Sequence, residues 1–135
     1  MRGIADTGFV VAFLNRLDRH HDWAEEIGKQ ISEPLLTCEA VLAETIFQVE
    51  SASEVLGLVQ EGFLQLAFDL RDNLGEVLEL AERYRDRAPD LADLCLIRMS
   101  ELLEEVPVFT VDEKDFRIYR RYGRDVIPIV CPPRH

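Results

Sequence analysis

The stretch GIADTGFVVAFL, residues 3–14, places an acid between a short apolar strand and an apolar helix. We predict the strand over residues 3–6 and the helix over residues 8–17. In parallel α/β sheets, ligands bind just outside the carboxyl ends of the strands. Asp6 stands at the carboxyl end of the first predicted strand, so it is the first candidate for a functional residue.

The rest of the chain continues this alternation of strands and helices. Further strands are predicted over residues 34–37, 63–70, 106–111 and 126–130. Further helices are predicted over residues 20–31, 38–49, 53–60, 72–85, 90–104 and 115–123. Pro128 favours an edge position for the last strand, since proline cannot donate a backbone hydrogen bond. The pattern predicts one α/β domain over residues 1–135, with a parallel sheet between helices.

Composition limits the classes of protein that the chain can belong to. The sequence is 47% hydrophobic and 30% charged, as in ordinary soluble domains. It has no apolar run near the roughly 20 residues that span a bilayer, and the first residues lack a signal-peptide pattern. Cys38, Cys95 and Cys131 are widely spaced and form no CxxC pair. We therefore expect a cytoplasmic protein with reduced thiols.

The net charge of -11, from 26 acidic and 15 basic residues, argues by itself against a nucleic-acid-binding protein. It does not exclude one, because part of the acidity could bind cations while basic residues gather elsewhere. The segment RIYRRYGR, residues 117–124, has four arginines and no acid. It is the candidate RNA-backbone contact, or else a solvated helix face. Its arginines are Arg117, Arg120, Arg121 and Arg124.

Four carboxylates interrupt segments that would otherwise be buried. Asp6 and Asp112 follow predicted strands, whereas Glu44 lies in AVLAETIF and Asp93 in LADLCLI. Burying unpaired charges is costly, and few lysines or arginines lie in these segments. A bound divalent cation would compensate the charges of these carboxylates. Oxygen ligands favour Mg²⁺ or Mn²⁺, and one or two such ions could bind here. Carboxylate-bound ions of this kind catalyse phosphoryl transfer and phosphodiester hydrolysis.

These segments, in this order, resemble the PIN domain, and most closely the VapC-type toxin ribonucleases of toxin–antitoxin systems. The matching segments are ADTGFVVAFL with DRHH downstream, AVLAETIF, DLADLCLI, and FTVDEKDF followed by YRRYG. The resemblance implies a three-layer α/β/α sandwich with a short, mainly parallel central sheet. It also implies Mg²⁺- or Mn²⁺-dependent endonucleolytic cleavage of RNA, leaving 3′-hydroxyl and 5′-phosphate ends. A homodimer and a cognate antitoxin that covers the site are implied as partners.

The family's four acids fall on Asp6, Glu44, Asp93 and Asp112, and its characteristic hydroxyl falls on Thr7. The chain departs from the commonest pattern at two places. Asp90 stands where serine is frequent, and two residues rather than one separate Asp112 from Asp115. Asp90 and Asp115 are accordingly supporting candidates, and either could ligate the metal directly.

Each of these residues also has a purely structural interpretation. Asp90 and Asp112 are suited to cap helices, and Thr7 could cap the first helix. Asp93 at the third helical position would suit the helix dipole. Glu44 could be a buried helix glutamate paired to an arginine, and Asp6 could form an Asx turn. Asp115 could be a cap or a second-layer group rather than a ligand.

Three functional alternatives remain open on these residues. One is a catalytically idle RNA-binding or regulatory module with the same fold. Another is a solitary nuclease without an antitoxin. The third is a Mg²⁺-dependent phosphohydrolase on a different doubly wound sheet. That enzyme would need a second aspartate in a DxDxT-like setting, which ADTGF lacks.

Overall fold

Residues 1–134, which the computed structural model describes, contain seven α-helices and seven short strands. The strands are β1 (Ile4–Ala5), β2 (Leu35–Thr37), β3 (Leu64–Leu66), β4 (Val108–Phe109), β5 (Arg120–Arg121), β6 (Asp125–Val126) and β7 (Ile129–Val130). The helices are α1 (Thr7–Leu14), α2 (His21–Gln30), α3 (Glu39–Val49), α4 (Ala52–Gln60), α5 (Leu74–Arg83), α6 (Leu91–Leu102) and α7 (Glu113–Phe116).

Five strands form one parallel sheet in the order β3-β2-β1-β4-β7. The central strand β1 is completely buried and aligns Ala5 with Phe109 of β4. Helices flank the sheet, which confirms the predicted α/β/α architecture. The carboxyl ends of β1 and β4 lie side by side, so the residues that follow these two strands are brought together.

Aromatic packing fixes α1 against the sheet. Phe9 meets Phe109 of β4 and Trp23 of α2 edge-to-face, with ring centroids 5.6 Å apart in both pairs. Phe13 stacks on Phe63 at 4.4 Å. Such contacts contribute beyond the apolar area that they bury. They hold the first turn of α1 over the carboxyl ends of β1 and β4.

The predicted helix over residues 115–123 is wrong beyond its first residues. After α7 the chain forms an antiparallel hairpin of β5 and β6. Tyr122 and Gly123 have φ values of 53° and 75°, which turn the chain sharply. Arg121 is held against α6 by a hydrogen bond to Ser100. These tertiary contacts override the helical pattern of the segment.

All five predicted strands are shorter in the structure, and two of them differ most in their course. The strand over residues 126–130 divides into β6 and β7, and the carbonyl of Pro128 accepts a hydrogen bond from Val108 at 2.9 Å. Strand β7 lies at the sheet edge, which confirms the position inferred from Pro128. The strand predicted over residues 63–70 ends at Leu66, since Phe68 and Leu70 pack on the core outside the ladder.

Within the described part of the chain, none of the helices has both the length and the apolar character needed to cross a membrane.

Candidate metal centre

A cleft of about 460 Å³ opens at the carboxyl ends of β1 and β4. We call it the acidic cleft. All four predicted acids line it, although they come from four separate segments of the chain, and the three supporting candidates line it too. These residues are Asp6, Glu44, Asp93, Asp112, Thr7, Asp90 and Asp115.

Asp6 is buried where β1 passes into α1. Its Oδ1 accepts the backbone N–H of Thr7 at 2.6 Å, and its Oδ2 accepts the hydroxyl of Thr110 at 2.6 Å. Burial raises the pKa of Asp6 to about 6, against the lowering effect of these two hydrogen bonds. Asp6 is thus the N-cap of α1 and also a carboxylate held rigidly at the floor of the cleft.

Thr7 is the first residue of α1 and not its cap. Its hydroxyl donates to Oε2 of Glu44 at 3.2 Å and so connects α1 to α3. Burial and then the neighbouring Asp90 raise the pKa of Glu44 to about 7. No ion pair with a lysine or arginine involves Glu44 within residues 1–134. The interpretation of Glu44 as half of a buried ion pair is therefore wrong.

Asp90 and Asp93, three residues apart, have different roles: one caps a helix and the other faces the cleft. Asp90 caps α6, and its Oδ1 accepts the backbone N–H of Asp93 at 2.8 Å. Asp93 projects into the cleft, where its Oδ2 accepts the hydroxyl of Tyr119 at 3.1 Å. Burial, and then the charges of Asp90 and Asp6, raise the pKa of Asp93 to about 8.

Asp112 and Asp115 also line the cleft, near Asp93. Asp112 caps α7 by accepting the N–H of Asp115 at 3.3 Å, and burial raises its pKa. Oδ1 of Asp115 accepts Nη2 of Arg87 at 2.9 Å. Asp93, Asp112 and Asp115 each offer an oxygen within 4.8 Å of the other two. Asp115 therefore lies among the potential ligands rather than behind them.

The donor set of the cleft fits a hard divalent cation. Six carboxylates line it against one cation, Arg87, and no histidine or cysteine lies among its described lining residues. Burial and neighbouring acids raise the pKa values of Asp6, Glu44 and Asp93, so their ionised forms need a nearby positive charge. Mg²⁺ and Mn²⁺ prefer oxygen ligands of this kind. The site residues thus suit the cation expected from the sequence.

Gly8 permits the close approach that shapes the cleft. A Cβ atom at this position would lie 2.3 Å from Cγ2 of Val111. A side chain there would require either Val111 or the first turn of α1 to move. Glycine therefore allows Asp6 and Asp112 to share one cleft.

Three polar residues of the site were missed in the sequence. Thr110 donates to Asp6, Tyr119 donates to Asp93, and Arg87 pairs with Asp115. Tyr119 lies in the arginine-rich segment RIYRRYGR, but its side chain is only 1% exposed and belongs to the core beside the cleft. The only sequence signal for Thr110 was its place just before Asp112 in FTVD.

The four arginines predicted to contact RNA do not line the acidic cleft. Arg117 pairs with Glu113 at 2.6 Å, and Arg120 donates to the carbonyls of Arg117 and Tyr119. Arg124 is exposed beside Asp125. Arg121 is buried and donates to Ser100 at 2.8 Å, so its charge is not available at the surface. The prediction is therefore wrong for Arg121.

The raised pKa values predict an unusual pH dependence of stability in the absence of metal. In the unfolded chain these carboxyl groups ionise near pH ~4. Between that pH and the folded values of about 6 to 8, the folded state binds more protons than the unfolded state. The free energy of unfolding should therefore fall as pH rises across this interval.

Urea unfolding in EDTA at pH 5, 6, 7 and 8 measures this fall. Asp93→Asn should flatten it, because that variant removes the group with the highest of the three values. Mg²⁺ at saturating concentration should flatten it too, since the ion favours the ionised carboxylates. A free energy of unfolding that rises with pH in EDTA would contradict the prediction.

Comparison with known protein families gives one match. The family model described as PIN domain matches residues 4–125. The matched range begins in β1, reaches the first residue of β6 and contains every acid of the cleft. No curated protein matches the chain.

Proposed function

Because the chain belongs to the PIN domain family, whose members are generally nucleases, we propose that it is a divalent-metal-dependent endoribonuclease. The observation that carries the proposal is the convergence of four distant acids in one cleft with too few cations to neutralise them. A catalytically idle RNA-binding or regulatory module would have no need of this costly arrangement.

We assign the metal to Asp6, Glu44, Asp93 and Asp112, with Asp115 as a further available ligand. When bound there, Mg²⁺ or Mn²⁺ supplies an activated water and stabilises charge on the scissile phosphate. Without such an ion, the carboxylates of the cleft would repel an RNA phosphate.

The neighbouring hydroxyl groups hold the carboxylates in place. Thr110 fixes Asp6, Thr7 fixes Glu44 and Tyr119 fixes Asp93, each through one hydrogen bond. Burial raises the pKa of Tyr119, so this phenol remains a donor at neutral pH. Such supporting contacts set ligand orientation and commonly alter metal affinity or activity by roughly 10–100-fold. Thr110, Thr7 and Tyr119 are positioning residues in this proposal.

The ordered likeness of the four acidic segments to VapC-type ribonucleases supports a more specific role. We propose that the chain is the toxin of a toxin–antitoxin pair, acts as a homodimer in the cytoplasm and is inhibited by an antitoxin. An antitoxin arginine in the acidic cleft would replace the cation electrostatically. A short antitoxin-like reading frame next to the gene would support this role, and its absence would favour a solitary nuclease.

Cleavage of a mixed pool of tRNA, rRNA and mRNA tests the ribonuclease proposal. We expect cuts with Mg²⁺ or Mn²⁺, none in EDTA, and recovery when metal is restored in excess. Mapping of the ends should show a 5′-phosphate and a 3′-hydroxyl at each cut. Equal cleavage in EDTA, or cleavage of DNA alone, would contradict the proposal.

A further inference from the structure

We propose that the RNA backbone beside the cleaved bond lies on a cationic surface next to the acidic cleft. This inference rests on the proposed ribonuclease function. The surface, here called the basic groove, consists of two shallow hollows that share Val111 with the acidic cleft. Its cationic residues are Arg19, Lys114, Arg117 and Arg134, and His20 lines it beside Arg19.

The basic groove is continuous with the acidic cleft. Val111 lines the cleft and also both hollows, which measure about 580 and 390 Å³. Asp112, an assigned metal ligand, lines the cleft and the larger hollow. Arg134 and Glu113 line both hollows. A strand crossing Asp112 therefore passes directly from the acids onto the cations.

The charge of the basic groove is opposite to that of the whole chain. Arg19 and Lys114 are exposed, and neither forms an ion pair within the part of the chain that the structure describes. Beyond Asp112, Glu113 is the one acid among the lining residues described. The basic groove is thus a local excess of positive charge in a chain of net charge -11.

Glu113 holds Arg117 and Arg134 in place, and its single charge does not cancel both of theirs. It accepts from Arg117 at 2.6 Å and from Arg134 at 2.5 Å, so one carboxylate is shared by two guanidinium groups. The Arg134 side chain is still 80% exposed. Both arginines therefore keep donors for a phosphate while their positions are restrained.

This arrangement explains how so acidic a chain can bind a polyanion. The acidic cleft with its metal would hold the scissile phosphate, and the basic groove would hold neighbouring phosphates. Contacts to phosphate are independent of sequence and weaken with salt. The alternative occupant is an acidic segment of a partner protein. RNA is favoured because the basic groove runs into the proposed metal site.

Charge reversal at Arg19 and Lys114 tests the inference. Binding of a labelled single-stranded RNA is measured by fluorescence anisotropy in an Asp93→Asn background with Mg²⁺, which keeps the RNA intact. Adding Arg19→Glu/Lys114→Glu should weaken binding at least 10-fold. It should also make the slope of log K against log salt shallower. The expected change is about 1.4, because each of the two lost phosphate contacts contributes ~0.7 on a single strand. Arg19→Gln/Lys114→Gln should give an intermediate loss.

The matched control is Arg2→Glu/Lys29→Glu, which exchanges the same residue types. Arg2 precedes β1 and Lys29 lies in the last turn of α2, away from both cleft and groove. It should leave binding and salt dependence unchanged. If the Asp93→Asn protein binds RNA but the two double substitutions weaken that binding equally, the basic groove is refuted. It is also refuted if Arg19→Glu/Lys114→Glu weakens binding of an acidic partner protein but not of RNA. Failure of the Asp93→Asn protein to bind RNA, with no cleavage by the wild type, would overturn the ribonuclease proposal as well.

Discussion

Asp93→Asn is expected to reduce metal-dependent RNA cleavage by ~100-fold or more, the scale on which loss of one electrostatic transition-state contact lowers kcat. The amide keeps the size of the side chain and can still accept from the hydroxyl of Tyr119. It removes a negative charge that the metal needs. The measurement is the initial rate of cleavage of a defined RNA in Mg²⁺.

The same substitution should not destabilise the metal-free protein. Burial and the charges of Asp90 and Asp6 oppose ionisation of Asp93 in the folded state. The amide abolishes this repulsion, so the thermal midpoint in EDTA should be unchanged or higher. Asp72→Asn, on an exposed residue outside the acidic cleft, is the control and should retain full activity. Full activity of Asp93→Asn, or its failure to fold, would defeat the catalytic assignment.

Mg²⁺ or Mn²⁺ is expected to raise the thermal midpoint of the wild type substantially. An ion that binds only the folded state stabilises it by about 2.7 kcal/mol when its concentration is ~100 times its Kd. For a chain of this length, such a gain corresponds to a midpoint shift of several degrees. Differential scanning fluorimetry across a metal titration measures the shift.

The double variant Asp6→Asn/Asp93→Asn locates that effect. Asp6 lies between β1 and α1 whereas Asp93 lies in α6, and both assigned roles require a negative charge. The variant should fold and show little or no shift with metal. An equal shift in the wild type and the double variant would place the ion elsewhere on this acidic chain.

Much of the fold could be predicted because local pattern and tertiary packing agree. Helices α3 and α6 lie where the sequence pattern predicts them, and the central sheet is parallel as expected. The hairpin of β5 and β6 could not be predicted in this way. It depends on the contact of Arg121 with Ser100, and on Glu101 accepting the backbone N–H of Tyr122 at 2.7 Å. Both partners lie in α6, far away in sequence.

The convergence of the acids could be anticipated for a similar reason. Asp6 and Asp112 follow strands, and neighbouring parallel strands end at one edge of the sheet. The hydrogen bonds around them have no local signal. Thr110 and Asp6 are 104 residues apart, and Tyr119 and Asp93 are 26 apart. A sequence pattern can indicate which residues are buried, but not which buried hydroxyl meets which carboxylate.

Direct titration with Mn²⁺ at neutral pH, followed by the electron paramagnetic resonance signal of the free ion, tests the central claim most directly. The wild type should remove Mn²⁺ from solution saturably, with one or two ions per chain, and excess Mg²⁺ should release them. Asp6→Asn/Asp93→Asn should leave the signal of free Mn²⁺ nearly unchanged. Saturable binding of equal stoichiometry and affinity in both proteins, or none in the wild type, would contradict the assignment of the acidic cleft as the metal centre.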